Sequence, residues 1–181
     1  MSPVPFQTIM VGIDTTEVSQ AAFDKALELA KALKAKLLVV HVLSPTDDDR
    51  PQLAYSYSSS YSSTGSLMEV GEASLRSDTR EWSAYTASYE ALLAQKIQRA
   101  EDIGVDAESI QTHGISGASL CYLTSRREVD LLVVGSHRRQ GLSALSAGST
   151  SHYIINHAPC PVLVVHSDTA VRKQSLLGNA F

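Results

Sequence analysis

The stretch VDLLVVGSHRRQGLSALSAGSTSHYIINHAPCPVLVV, residues 129–165, decides the fold. It holds one branched apolar run, Asp130–Gly135 (DLLVVG), and leads into a second, Pro161–His166 (PVLVVH). Near-continuous Val and Leu runs of this length suit strands covered on both faces, as in parallel sheets. Between them, Leu142–His157 reads as a helix that continues past Gly148, and Pro159 ends its pattern. Strand, polar loop, helix and strand in that order form a right-handed crossover unit.

The same alternation extends toward the N-terminus. Thr8–Ile13 (TIMVGI) and Lys36–Leu43 (KLLVVHVL) read as the first two strands, and Asp106–Gln111 (DAESIQ) as a more polar edge strand. Val18–Ala35 carries Ala22, Ala26, Leu29, Ala30 and Leu33 at spacings of three and four, which predicts a helix. Asp14, Thr15 and Thr16 precede it with capping groups. Trp82–Ile103 reads as a second helix stopped at Gly104, and Leu120–Arg127 as a short third. The expected fold is α/β, a parallel sheet with helices on both faces. One domain is expected over residues 1–168. A mobile Ser/Tyr-rich insertion interrupts it at about 46–80 (YSYSSSYSSTGS), and residues 169–181 form a flexible tail.

Composition narrows the function classes. Apolar residues make up 44% of the 181 residues, charged residues 19%, and the net charge is −4. That balance gives no reason to expect nucleic acid or an acidic membrane surface as partner. No apolar run approaches membrane-spanning length, and MSPVPFQTIMVGID lacks the pattern of a secretory leader. Cys121 and Cys160 lie far apart in sequence with no second ligand at metal spacing, so a reduced, cytoplasmic setting is expected.

Two places carry candidate chemistry. Asp14 directly follows the first strand, and in open parallel sheets the carboxyl ends of strands frame the ligand crevice. Its carboxylate suits a ribose hydroxyl or a base amine; capping of the first helix is the competing reading. The other place is Gly135–Thr150. Gly135 ends the fourth strand and allows a tight turn, Ser136–Arg139 form a polar, basic loop, and Gly148, Ser149 and Thr150 follow. Small residues let backbone N–H groups approach a phosphate, and a helix N-terminus adds favourable potential. The competing reading is a glycine-softened helical turn beside a solvated loop. Neither GK[ST] nor GxGxxG is present.

With these residues in place, the chain resembles the universal stress protein family. The resemblance rests on TIMVGIDTTEVSQAAFDKALELA, on KLLVVHVL, on the stretch quoted first and on the order of elements, over roughly residues 6–45 and 82–166. It implies a five-stranded parallel sheet in order 3-2-1-4-5. The family's nucleotide-binding branch has the pattern G-x2-G-x9-G-[ST]. Gly135 matches its first glycine and Gly148–Ser149 its last pair, while Arg138 stands at the middle glycine. Arginine is costly where glycine provides a positive φ, yet a guanidinium there can itself contact phosphate.

The resemblance further implies an ATP site, with Mg2+ or with AMP or ADP as alternatives. Gly12, Ile13, Asp14 and Val42 would serve the nucleoside end. Val134, Gly135, His137, Arg138, Gly148, Ser149 and Thr150 would line the phosphate side. It also implies a homodimer formed through the last strand, Pro161–His166, and a regulatory, stress-response role without strong catalysis. A slow Mg-dependent ATP hydrolase and an interaction module that has lost its nucleotide through Arg138 stand as alternatives. His41 is expected to be structural, and His137 either exposed or a phosphate contact. Cys121 and Cys160 are read as small apolar filler, Trp82 and Tyr85 as packing residues. No nucleophile–base arrangement is evident.

Overall fold

The computed structural model describes residues 6–44, 72–136 and 149–166. Over these residues strands and helices alternate: β1 (Thr8–Gly12), α1 (Glu17–Leu33), β2 (Lys36–Leu43), α2 (Glu72–Glu101), β3 (Ala107–His113), α3 (Ser116–Arg126), β4 (Leu131–Ser136), α4 (Ser149–His157) and β5 (Val162–His166). Every neighbouring pair of strands is parallel and the order is β3-β2-β1-β4-β5. The expected fold class and order are met.

The pleat divides the apolar residues between two layers. Ile9, Val11, Leu37, Val39 and Val133 face α1 and α2, where Phe23, Ala26, Leu93 and Ala100 cover them. Met10, Leu38, Val40, Val42, Leu132 and Val134 face the other way, onto Leu120 of α3 and Ile154 of α4. Central strands buried on both sides explain why the runs lack alternation. Full burial of a side chain such as Phe23 or Ile9 stabilises by about 1.5–3 kcal/mol.

Local chemistry sets where the elements start. Asp130 Oδ2 accepts hydrogen bonds from the Gln7 and Thr8 N–H groups at 2.7 and 2.9 Å, fastening the start of β1 to β4. At the sheet edge Glu108 takes Lys36 Nζ at 2.6 Å and also pairs with Arg127. α1 and α2 share a polar cluster: Lys96 Nζ donates to Gln20 Oε1 and lies 4.8 Å from the Phe23 ring centroid, while Arg99 pairs with Asp24 at 2.6 Å. Lys96 is buried, and desolvation lowers its pKa against the opposing pull of Asp24, with Arg99 adding to the lowering.

Several boundaries differ from the sequence expectation. α2 begins at Glu72, not Trp82, so residues 72–80 of the expected insertion are helical. The added stretch, EASLRSDTRE, has no Gly or Pro and is rich in residues compatible with a helix, though it lacks an apolar stripe. α3 begins at Ser116, not Leu120; Gly117 sits in its first turn because Tyr153 packs there, 3.0 Å from where a Cβ would lie. β3 runs two residues further, to His113. The rest of the expected insertion, residues 142–148 of the expected last helix, and the tail lie outside the described residues.

Candidate functional site

β1 is shorter than both its neighbours, and the site follows from that difference. Gly12 pairs with Val40, and β2 continues three residues to Leu43. Val11 pairs with Val133, and β4 continues three residues to Ser136. Ile13 donates its N–H to the Val40 carbonyl at 2.9 Å, and the chain then leaves the sheet at Asp14. Two strand spacings separate β2 from β4, about 9–10 Å. Above the end of β1 they frame a slot with Gly12, Ile13 and Asp14 as its floor. β1 is also where the strand order reverses, the place at which open α/β sheets take ligands.

The two glycines in this region are set by packing. A Cβ on Gly12 would meet Leu120 Cδ1 of α3 at 2.9 Å. A Cβ on Gly135 would meet the Val18 carbonyl oxygen at 3.0 Å and the Ser19 nitrogen at 3.2 Å, both in the first turn of α1. Among the described glycines only Gly104 and Gly114 have positive φ. The expectation that Gly135 ends the strand in a tight turn is therefore corrected: β4 runs on to Ser136, and Gly135 is small because α1 lies against it.

Asp14 is exposed, and its hydrogen bonds define its part in capping α1. Thr16 is the N-cap of α1, its Oγ1 accepting from the Ser19 N–H at 3.2 Å. Asp14 Oδ1 accepts from the Thr16 N–H at 2.8 Å and from the Thr16 hydroxyl at 2.5 Å. The Asp14 N–H donates to Ser19 Oγ at 2.8 Å. Asp14 thus orients the cap without being it, and no hydrogen bond engages its Oδ2 among the described residues. Val42 turns its side chain into the core beside α3, 5% exposed. It pairs with Thr112 of β3, and on its other side β1 has already ended. Its peptide edge, not its side chain, borders the slot.

At the other wall, Ser136 Oγ lies 3.2 Å from Ser151 Oγ in the first turn of α4. This contact brings the N-terminal turn of α4, with Ser149 and the half-buried Thr150, to the end of β4. The first turns of α3 and α4 carry no acidic residue to offset the positive end of the helix. The structure therefore gathers Gly12, Ile13, Asp14, Val42, Val134, Gly135, Ser149 and Thr150 at one end of the sheet. His137, Arg138 and Gly148 lie outside the described residues. The sequence reading missed Ser19, Leu120 and the Ser136–Ser151 contact. The spacing in DTTEVS was the available signal for Ser19, but a serine inside a helical pattern reads as an ordinary exposed position.

Other singled-out residues fall where packing explains them. His41 is 2% exposed and stacks on Tyr89, with ring centroids 3.6 Å apart. Tyr85 meets Tyr89 edge-on, and Trp82 packs against the same cluster. Cys121 and Cys160 are free thiols packed on the α3–α4 side of the core, and desolvation raises both pKa values. Though distant in sequence, they are close enough for Cys121 to add to the rise at Cys160. Among the described residues no group of three His, Cys, Asp or Glu could hold a metal ion, and no helix is long and apolar enough to cross a membrane.

A parallel sheet in this order, with its slot above the central strand and helix N-termini turned toward it, defines a doubly wound α/β domain with a crevice at its topological switch point. The chain belongs to the universal stress protein family, whose sequence pattern matches residues 5–166. It is 28% identical over 160 residues to universal stress protein YxiE of Bacillus subtilis, covering 88% of this chain and 99% of that one. Among solved structures it is similar to a universal stress protein in complex with cAMP, with TM-score 0.62 and 23% identity over 91% of this chain and 99% of that one. It is also similar to a universal stress protein family protein of Arabidopsis thaliana with AMP bound, with TM-score 0.53 and 21% identity over 90% and 94%. At these identities the structural likeness speaks for the fold.

Proposed function

We propose that this chain binds an adenine nucleotide in the slot above β1 and acts as a stress-response regulator whose output is a ligand-dependent change of shape or partner, not turnover. The observation that carries the reading is the early end of β1 between two longer strands, with Asp14 on the floor and the first turn of α4 at one wall. The Val42 peptide edge and Asp14 Oδ2 suit the base and ribose; Gly12 and Ile13 let the nucleoside approach the backbone. Backbone N–H groups at Ser149 and Thr150, with Val134 and Gly135 beside them, suit the phosphates. His137, Arg138 and Gly148 belong to the same side by sequence. The bound cAMP and AMP of the two similar structures support an adenine nucleotide as the ligand class. ATP, with Mg2+ arriving on its phosphates, is the form we assign here. The free cysteines suit the reducing cytoplasm.

The test is calorimetric titration of ATP and AMP into the parent chain and Arg138→Gly. A glycine would relieve about 1 kcal/mol of backbone cost where φ is positive. A charge-assisted bond to phosphate contributes about 1.5–3 kcal/mol. The variant is therefore expected to bind ATP more weakly. Tighter binding would mean that Arg138 obstructs the site, and absence of binding by both proteins would overturn the reading. ADP accumulating with time would replace the regulator by a slow hydrolase.

A further inference from the structure

Ser19 lies in the first turn of α1 and is 4% exposed. A serine within a helix commonly returns its hydroxyl to a carbonyl one turn back. Here Ser19 Oγ instead accepts the Asp14 N–H at 2.8 Å, from outside the helix. Its own N–H donates to Thr16 Oγ1 at 3.2 Å, and Thr16 holds Asp14 Oδ1 through its N–H and its hydroxyl. Ser19, Thr16 and Asp14 thereby close a ring of hydrogen bonds around the turn that leaves β1. The Ser19 nitrogen also lies 3.2 Å from where a Cβ on Gly135 would be, so the same residue rests on the exit of β4.

In a capping box the N3 side chain reaches back to the N–H of the N-cap residue. Ser19 stands at N3, but the Thr16 N–H is held by Asp14 Oδ1, and the Ser19 hydroxyl reaches past it to Asp14. The hydroxyl engages the peptide N–H of Asp14, and fixing that peptide fixes the direction in which the carboxylate leaves the backbone. We infer that Ser19 is a positioning residue of the nucleotide site: it orients Asp14 from behind and sets it at a fixed distance from the β4 wall without touching the ligand. The inference rests on the proposed reading of Asp14 as a nucleoside contact.

A double-mutant cycle tests it. AMP is titrated into the parent chain, Ser19→Ala, Asp14→Ala and the double variant, followed by NMR shifts so that millimolar constants are reached. Ser19→Ala is expected to weaken AMP about tenfold in the parent background, the size of one misplaced polar contact, and less than twofold when Asp14 is already alanine. A purely structural role would lower affinity by the same factor in both backgrounds, and that result overturns the inference while leaving the nucleotide reading intact. The cycle is run with ATP should AMP not bind, and failure of the parent chain to bind either nucleotide overturns both. Should Ser19→Ala fold poorly, Ser19→Cys, slightly larger and with a weaker acceptor, is carried through the same cycle, with coupling of the same sign expected.

Discussion

Gly135 of β4 and Val18 of α1 are in backbone contact: a Cβ on the glycine would stand 3.0 Å from the valine carbonyl oxygen. Backbone atoms at a helix start cannot turn aside as a side chain can. Gly135→Ala therefore shifts α1 or strains β4, an overpacking cost of about 1–3 kcal/mol. At Gly12 the obstructing atom is the end of the Leu120 side chain, at 2.9 Å, which can move. Urea denaturation should show Gly135→Ala losing more stability than Gly12→Ala. The reverse order would mean that α1 yields more easily than Leu120.

Lys96 makes stability depend on alkaline pH in a defined direction. Burial depresses its pKa in the folded chain below the ordinary lysine value of 10.5. Between the depressed value and 10.5 the unfolded chain holds more protons than the folded one, so stability rises with pH across that window. The desolvation penalty is fully present below the folded pKa and is relieved above it. Compared with Lys96→Met, the parent chain should gain stability as pH approaches 10.5, read from melts in matched buffers. A difference that does not change with pH would contradict this.

β5 is the outermost strand beside β4, and its residues Val162, Leu163 and Val164 are only half-buried in the single chain. An apolar edge of this kind invites pairing. We expect two chains to associate through this edge. Light scattering at micromolar concentration should give twice the chain mass, and Leu163→Lys should shift it toward one. A single-chain mass for the parent protein would reject the dimer.

How much the sequence disclosed depended on whether the deciding contact was local. β1, β2 and β4 were legible because burial on both faces writes itself as near-unbroken Val, Ile and Leu, and β5 carries the same composition at the edge. The start of α2 was not legible, because Glu72–Glu81 promotes a helix through propensity without marking an apolar face. Gly117 reads as a helix breaker until the ring of Tyr153, thirty-six positions later, explains it. At the site, Asp14 could be placed from its position at a strand end, and Val42 only through the family resemblance. The reasons for Gly12 and Gly135 could not, since Leu120 and Val18 reach them only through the fold. Ser19 stayed hidden for a related reason: helical periodicity says which way a side chain points, not that its oxygen will accept a bond from the preceding turn.

The ladder of rings behind β2 gives this chain a spectroscopic property. Trp82, its single tryptophan, lies 5.5 Å from Tyr85; Tyr85 meets Tyr89, and Tyr89 stacks on His41, the residue before Val42. The indole is thus linked through three successive rings to the strand that walls the slot. Its emission is an intrinsic optical reporter of how α2 sits on β2, readable in the unlabelled protein while ligands are added.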